Sequence, residues 1–190
     1  MFAAPAFLNQ EECSRLIEEM RAAPVESAAV VRGASELVDE ESRRTRLADV
    51  PPATTERMRD CLGELKQPLE RHFDLALAGC ESPQFLLYRP GDFFGAHVDA
   101  SDREEKPQFV RDRKISVVVF LNSASPEPRP GTFDGGALTL YGLMPDPAWQ
   151  KYGFSLKAQT GLLVAFRSSL WHAVEPVSRG ERFTMVSWFY

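Results

Sequence analysis

The sequence predicts an α+β domain in which N-terminal helices support a β-rich core of the double-sheet jelly-roll or closed-barrel kind. Three observations predict it. A capped amphipathic stretch opens the chain, and a second helical stretch covers residues 54–77. From residue 84 onward the pattern changes to eight short strand candidates separated by Gly, Pro and polar turns.

The first helix is announced by Asn9 and Glu12, which have the spacing of a capping box, with Leu8 and Cys13 placed to form the accompanying apolar staple. Cys13, Leu16, Ile17 and Met20 then repeat at the helical interval and define one buried face, and Pro24 ends the run. Residues 27–31 read as a short strand, followed by a polar segment over 33–49. In the second helical stretch Met58, Cys61, Leu62, Leu65, Leu69 and Phe73 form an apolar stripe. Pro68, lacking an N–H, should kink this helix or restart it. The strand candidates are 84–89, 93–98, 114–122, 137–141, 155–158, 162–166, 172–177 and 183–189, with turns at Pro90-Gly91, Gly135-Gly136 and Gly180. Two connections are candidate lids, the charged 100–113 and the Pro-rich 123–131, although each also reads as a plain solvated loop.

At 190 residues, 44% hydrophobic and 26% charged, the chain suits one globular domain. That domain is expected over 1–190, with helical support over about 1–80 and the β core over about 84–190. No apolar run approaches a membrane span, and residues 1–9 lack the basic and apolar regions of a signal peptide, so a cytoplasmic protein with no membrane association is expected. A net charge of −5 argues against a general nucleic-acid binder. Cys13, Cys61 and Cys80 are odd in number and form no C-x-x-C pair, which favours buried, reduced thiols over disulfides or zinc. Oligomeric state is not legible.

Two of the three histidines fall in suggestive places. Gly95-Ala96-His97-Val98-Asp99 closes a strand candidate, and residues two apart on a strand project to one side, so His97 and Asp99 are expected together while Val98 faces the core. His172 opens another strand candidate. Two imidazoles and one carboxylate on one face of a metal, with positions left open, is the ligand set of non-haem Fe(II) oxygenases. The open positions are the chemical point: a fully ligated ion has no room for a chelating co-substrate and O2. Taken alone, the triplet is equally compatible with a hydrogen-bonded loop histidine, a turn aspartate and a satisfied histidine beside Trp171. His72 lies on the second helical stretch and reads as a surface or capping residue.

Arg182 and Thr184 share a face of the last strand candidate by the same period-two rule. A guanidinium and a hydroxyl at the floor of a barrel suit a carboxylate, such as the distal one of 2-oxoglutarate, and Tyr88 offers a phenolic donor. The competing readings are a solvent-facing salt bridge and an ordinary strand aromatic.

The ensemble resembles a family. The order runs Tyr88-Arg89-Pro90-Gly91-Asp92-Phe93-Phe94, His97-Val98-Asp99, Gly135-Gly136-Ala137-Leu138, then Gly161-Leu162-Leu163-Val164-Ala165-Phe166. It continues with His172-Ala173-Val174-Glu175-Pro176-Val177, Gly180-Glu181-Arg182 and Trp188. This order and spacing, over roughly 84–188, resembles the prolyl 4-hydroxylase-like 2-oxoglutarate/Fe(II) oxygenases. The resemblance implies a double-stranded β-helix (jelly roll) with N-terminal supporting helices. It implies His97, Asp99 and His172 as iron ligands, and Arg182 gripping the distal carboxylate of 2-oxoglutarate with help from Thr184 and Tyr88. It further implies Fe(II), 2-oxoglutarate and O2 as cofactor and co-substrates, ascorbate as an accessory cofactor, and hydroxylation of a C–H bond with release of succinate and CO2. Trp188 is expected near the pocket or in the core, and Gly135-Gly136 where a sheet bends beside the site.

Neighbouring activities separate on single residues. Halogenases of this chemistry lack the carboxylate ligand that Asp99 supplies; nucleic-acid demethylases carry a second arginine where this chain has Phe183-Thr184-Met185-Val186-Ser187; cupin dioxygenases show a His-x-His pair. A non-catalytic jelly-roll binding module should have lost a ligand or the co-substrate cation, and all four positions are filled. The substrate stays open between a prolyl residue in a peptide, a free amino acid and a biosynthetic small molecule. Residues 144–154, with Trp149 and Tyr152, are expected to shape the entrance together with 99–113.

Overall fold

The computed structural model describes residues 1–32, 35–144 and 152–190. Gly33, at the start of the expected polar segment, and Trp149 lie outside these described residues. The first helix, Gln10–Ala22, begins as the sequence predicts. Asn9 Oδ1 accepts from the Glu12 N–H at 2.9 Å, and Glu12 Oε2 accepts from the Asn9 N–H at 2.9 Å. Leu8 and Cys13 are both buried in one apolar cluster.

The second helical stretch is two helices, Pro52–Gly63 and Lys66–Phe73. The break falls at 64–65, so Pro68 sits in the first turn of the second helix, where an N–H has no intrahelical acceptor to lose. His72 is exposed on that helix, edge-on to Phe2 and Phe73.

Two antiparallel sheets form the core. The larger runs, edge to edge, Phe2–Ala4, Leu163–Arg167, Ile115–Phe120, Arg182–Phe189, Gln84–Tyr88, Arg46–Ala48 and Val25–Ser27. The smaller runs Gly153–Leu156, Leu138–Tyr141, His172–Val174, Phe93–His97 and Arg43–Arg44. Two short pairs accompany them, Asp134–Gly135 with Val177–Arg179 and Val30–Arg32 with Ser35–Leu37. All eight strand regions expected after residue 84 are present. Region 172–177 divides at Glu175-Pro176, because proline supplies no ladder donor.

The strand expected at 27–31 is two strands, Val25–Ser27 and Val30–Arg32, and further short strands enter the first half. Phe2–Ala4, Val25–Ser27, Arg43–Arg44 and Arg46–Ala48 all join the sheets. At two or three residues each, they are too short to show a period.

Strand alternation explains the layering. Phe85 and Leu87, Val117 and Val119, and Phe183 and Met185 point to one face of the large sheet, where they pack with Leu16, Met20, Met58, Leu62 and Leu69 of the helices. Their neighbours Leu86, Tyr88, Val118 and Phe120 point the other way and pack with Leu138, Leu140 and Val174 of the small sheet. Every residue of Ile115–Phe120 is buried, as a central strand covered on both faces requires.

Cys13 is buried, Cys61 and Cys80 are half-buried, and none is in a disulfide, so the expectation of fully buried thiols holds for Cys13 alone. Among the described residues no helix is long and apolar enough to cross a membrane.

Candidate metal centre

The chain leaves the large sheet after Tyr88, turns through Arg89-Pro90-Gly91-Asp92, and enters the small sheet at Phe93. Gly91 takes a left-handed φ of +88°, which glycine adopts without steric cost. Buried Asp92 ties the turn down, accepting from the Arg89 N–H at 2.8 Å and from the Arg46 guanidinium. The strand Phe93–His97 thereby delivers His97 directly opposite His172 on the neighbouring antiparallel strand.

The strand ends at His97, so alternation does not place Asp99. A bend does, with the Asp99 and Ala100 N–H groups both donating to the Ser168 carbonyl at 2.9 and 3.0 Å. Val98, expected to face the core, is half-buried and borders the cavity instead.

The three side chains converge. One ligand atom from each of His97, Asp99 and His172 lies within 4.8 Å of the others. His97 Nε2 is 3.5 Å from Asp99 Oδ1, and His172 Nε2 is 3.4 Å from Asp99 Oδ2. Each Nδ1 is close to the carbonyl two residues earlier, His97 to Gly95 O at 2.8 Å and His172 to Leu170 O at 2.9 Å. A carbonyl only accepts, so Nδ1 carries the proton and the neutral ring presents its Nε2 lone pair. Burial pushes the His172 pKa down, with His97 acting in the same direction, against the pull of Asp99. Burial alone would raise the Asp99 pKa, but His172, His97 and the Ser116 hydroxyl outweigh it and hold the carboxyl well below the usual carboxylate range. Two imidazole Nε2 atoms and a carboxylate are thus packed together, an arrangement that a divalent cation stabilises and that fits Fe(II).

Residues that sequence reasoning missed hold this cluster in place. Ser116 Oγ donates to Asp99 Oδ2 at 2.6 Å and lies 3.0 Å from Ser168 Oγ. The Phe94 ring stacks on His97 with centroids 3.5 Å apart, and Phe166 meets His172 edge-on at 4.8 Å. The available signal was Ser116 itself, a lone hydroxyl inside the apolar run Ile-Ser-Val-Val-Val-Phe.

Arg182 sits directly opposite Tyr88 across the ladder and is 1% exposed. Its Nη1 donates to Thr184 Oγ1 at 3.3 Å, its Cζ lies 4.9 Å from the Tyr88 ring centroid, and its buried Nε has no acceptor. Among the described residues no carboxylate forms an ion pair with it. Burial pushes its pKa down while Tyr88 pulls it up, and a guanidinium keeps its charge regardless. A buried, unpaired cation is costly to the fold and ready for an anion.

Gly136 makes room for it, since a Cβ there would lie 3.0 Å from Arg182 Cδ, and the register shifts beside it between Asp134 and Gly135. Asn122 fixes the strand start by accepting from the Phe183 N–H at 3.0 Å.

One cavity of about 1000 Å3 contains Tyr88, His97, Asp99, His172, Arg182 and Thr184. Trp188 also lines it, with the Arg113 Cζ 3.7 Å from its ring centroid and Arg113 held by Glu81 at 2.6 and 2.8 Å. Of the two expected lids, 100–113 borders the cavity through Lys106, Phe109 and Val110, whereas 123–131 contributes no described lining residue. Tyr152 is exposed and does not line it.

The fold is similar to that of the Pseudomonas putida prolyl-4-hydroxylase, with a TM-score of 0.73 at 22% identity, covering 99% of this chain and 90% of that one. It is also similar to a Trichoplax adhaerens prolyl hydroxylase in complex with a hypoxia inducible factor oxygen degradation domain peptide fragment, with a TM-score of 0.74 at 16% identity over 100% and 82% of the two chains. In sequence the chain is 33% identical over 106 residues to a PKHD-type hydroxylase of Shewanella sp. (strain ANA-3), and 34% identical over 108 residues to one of Paracoccus denitrificans (strain Pd 1222). Each match covers 56% of this chain and 41% of the relative, so the chain spans about two-fifths of the length of the curated relatives it matches. The model of the 2OG-Fe(II) oxygenase superfamily matches residues 83–190, which hold all three metal-ligand candidates and the buried arginine. The chain belongs to the 2OG-Fe(II) oxygenase superfamily.

Proposed function

We propose that this chain is a 2-oxoglutarate- and Fe(II)-dependent dioxygenase, a single domain over 1–190 built as a double-stranded β-helix on N-terminal helices. It hydroxylates an unactivated C–H bond of a prolyl residue or related substrate, releasing succinate and CO2. One observation carries the reading: two imidazole nitrogens and a carboxylate converge in the same cavity as a buried guanidinium that has no carboxylate partner among the described residues.

In this reading His97 and His172 bind the metal through Nε2 and Asp99 through its carboxylate, leaving the remaining positions open. When bound, Fe(II) supplies the coordination positions at which a 2-oxoacid and O2 are brought together for oxidative decarboxylation coupled to hydroxylation. Arg182 takes the distal carboxylate of 2-oxoglutarate through charge-assisted hydrogen bonds, with Thr184 and Tyr88 beside it. Phe94, stacked on His97, and Phe166, edge-on to His172, hold the imidazole planes. The prolyl hydroxylase fold neighbours, one of them carrying a peptide, support a prolyl substrate.

The test is anaerobic addition of Fe(II) and 2-oxoglutarate, which should produce a visible charge-transfer band, followed by succinate release in air. His97→Ala abolishes both, whereas His72→Ala, on an exposed helix face, leaves both at the wild-type level. Absence of the band from folded wild-type protein, or equal loss in the two variants, overturns the proposal.

A further inference from the structure

Among the other arginines lining the cavity, Arg43 comes from the opposite sheet to Arg182. Arg43 lies on the edge strand Arg43–Arg44, in register with Phe94 and three residues from His97 in that strand's partner. Its Cζ is 4.6 Å from the centroid of the Phe94 ring that stacks on His97. A guanidinium has five N–H donors, and here Nη1 alone meets a protein acceptor, the Ala29 carbonyl at 2.7 Å. Nε is buried without a partner among the described residues. Among the described residues no carboxylate is within ion-pair distance. Asp99 acts on Arg43 from further away, but its oxygens already face His97, His172 and Ser116.

With the function proposed above, the charges at the co-substrate end of the cavity balance without Arg43. Fe(II) brings two positive charges, Arg182 one, Asp99 one negative and 2-oxoglutarate two negative, so those four sum to zero. Of the other arginines lining the cavity besides Arg182, Arg103 and Arg113 pair with Glu105 and Glu81, and Arg43 has no ion pair among the described residues. At about 1000 Å3 the cavity has room for a second small ligand beside the oxoacid.

We propose that Arg43 holds a carboxylate belonging to the substrate, so the substrate is a free amino or imino acid or a peptide hydroxylated at a carboxylate-bearing end. An internal, uncharged prolyl segment leaves Arg43 unpaired. This assignment rests on the oxygenase reading and narrows its substrate class.

The test uses wild-type, Arg43→Gln and Arg43→Lys proteins loaded anaerobically with Fe(II) and 2-oxoglutarate. The probes are the L-amino acids, proline included. Each is offered as the free acid, as its primary amide, at the free C-terminus of a short neutral peptide, and inside a doubly capped peptide. Equilibrium perturbation of the charge-transfer band reads binding, and succinate release reads turnover. For at least one residue the wild type binds a carboxylate form about 10- to 100-fold tighter than its amide, the range expected for a charge-assisted hydrogen-bonded pair. Arg43→Gln erases that difference, Arg43→Lys restores part of it, and half-saturation by 2-oxoglutarate is unchanged in both. The free-acid and C-terminal-peptide arms decide which source supplies the carboxylate. The assignment fails if no carboxylate form outperforms its amide, if the doubly capped peptide binds best, or if Arg43→Gln weakens 2-oxoglutarate instead. A wild-type protein without the band removes the oxygenase reading itself, and this assignment with it.

Discussion

Both imidazoles offer Nε2 for one local reason: each Nδ1 is spent on the carbonyl two residues earlier, so the strand that carries the histidine also selects its tautomer. Asp99 lacks that local support and depends on Ser116, from a strand of the other sheet. Ser116→Ala should therefore weaken metal affinity about 10- to 100-fold, the usual cost of losing a group that orients a ligand, with little change in melting temperature. A titration showing unchanged affinity would mean that the bend alone orients the carboxylate. Arg182 poses the opposite balance. Its buried charge meets no carboxylate among the described residues, so Arg182→Met should leave the melting temperature of the ligand-free protein equal or higher while abolishing saturation by 2-oxoglutarate. A strongly destabilised Arg182→Met protein would show that the guanidinium serves the fold.

Among the elements, the helix Gln10–Ala22 shows how local chemistry and tertiary packing cooperate. Its two-way cap at Asn9 and Glu12 fixes where it starts, and this start turns Cys13, Leu16 and Met20 onto the large sheet. Asn9→Ala should cost about 1 kcal/mol, lowering the melting temperature by ~2–4 °C. Thermal denaturation checks the cost, and charge-transfer titration should show 2-oxoglutarate affinity unchanged. The Cys13 thiol on the same face is pushed up to about 11, first by burial and then by Glu12, which suits a core residue and not a reactive one. Pro68 and Pro176 act as punctuation, one tolerated in a first helical turn and the other separating His172–Val174 from Val177–Arg179.

At the scale of the molecule, the large sheet is a partition. Helices cover one face, and the small sheet covers the other and encloses the cavity with it. The site therefore spans two sheets, with His97 and His172 on one and Arg182, Thr184, Tyr88 and Ser116 on the other. Ligands that bridge them should stabilise the whole fold. Fe(II) with 2-oxoglutarate at a hundredfold excess over its dissociation constant should add ~2.7 kcal/mol by mass action, seen as a thermal shift that His97→Ala loses. A shift that persists in His97→Ala would place the ligands elsewhere.

The sequence by itself determined whatever is encoded within a few residues. It specified the capped helix, the change from helical to strand grammar at residue 84, the His97/Asp99/His172 and Arg182 positions, and the residue types that make iron and an oxoacid the matching chemistry. Only the tertiary structure decided that the first half contributes strands of two or three residues, because so short a segment carries no period and is fixed by the neighbour it pairs with. It also decided that a bend held by Ser168 places Asp99, that Ser116 orients it, and that Arg43 enters from the opposite sheet with no carboxylate at ion-pair distance among the described residues. Each of these depends on contact between residues far apart in the chain. The presence or absence of such contact is a property of packing, which local spacing does not carry.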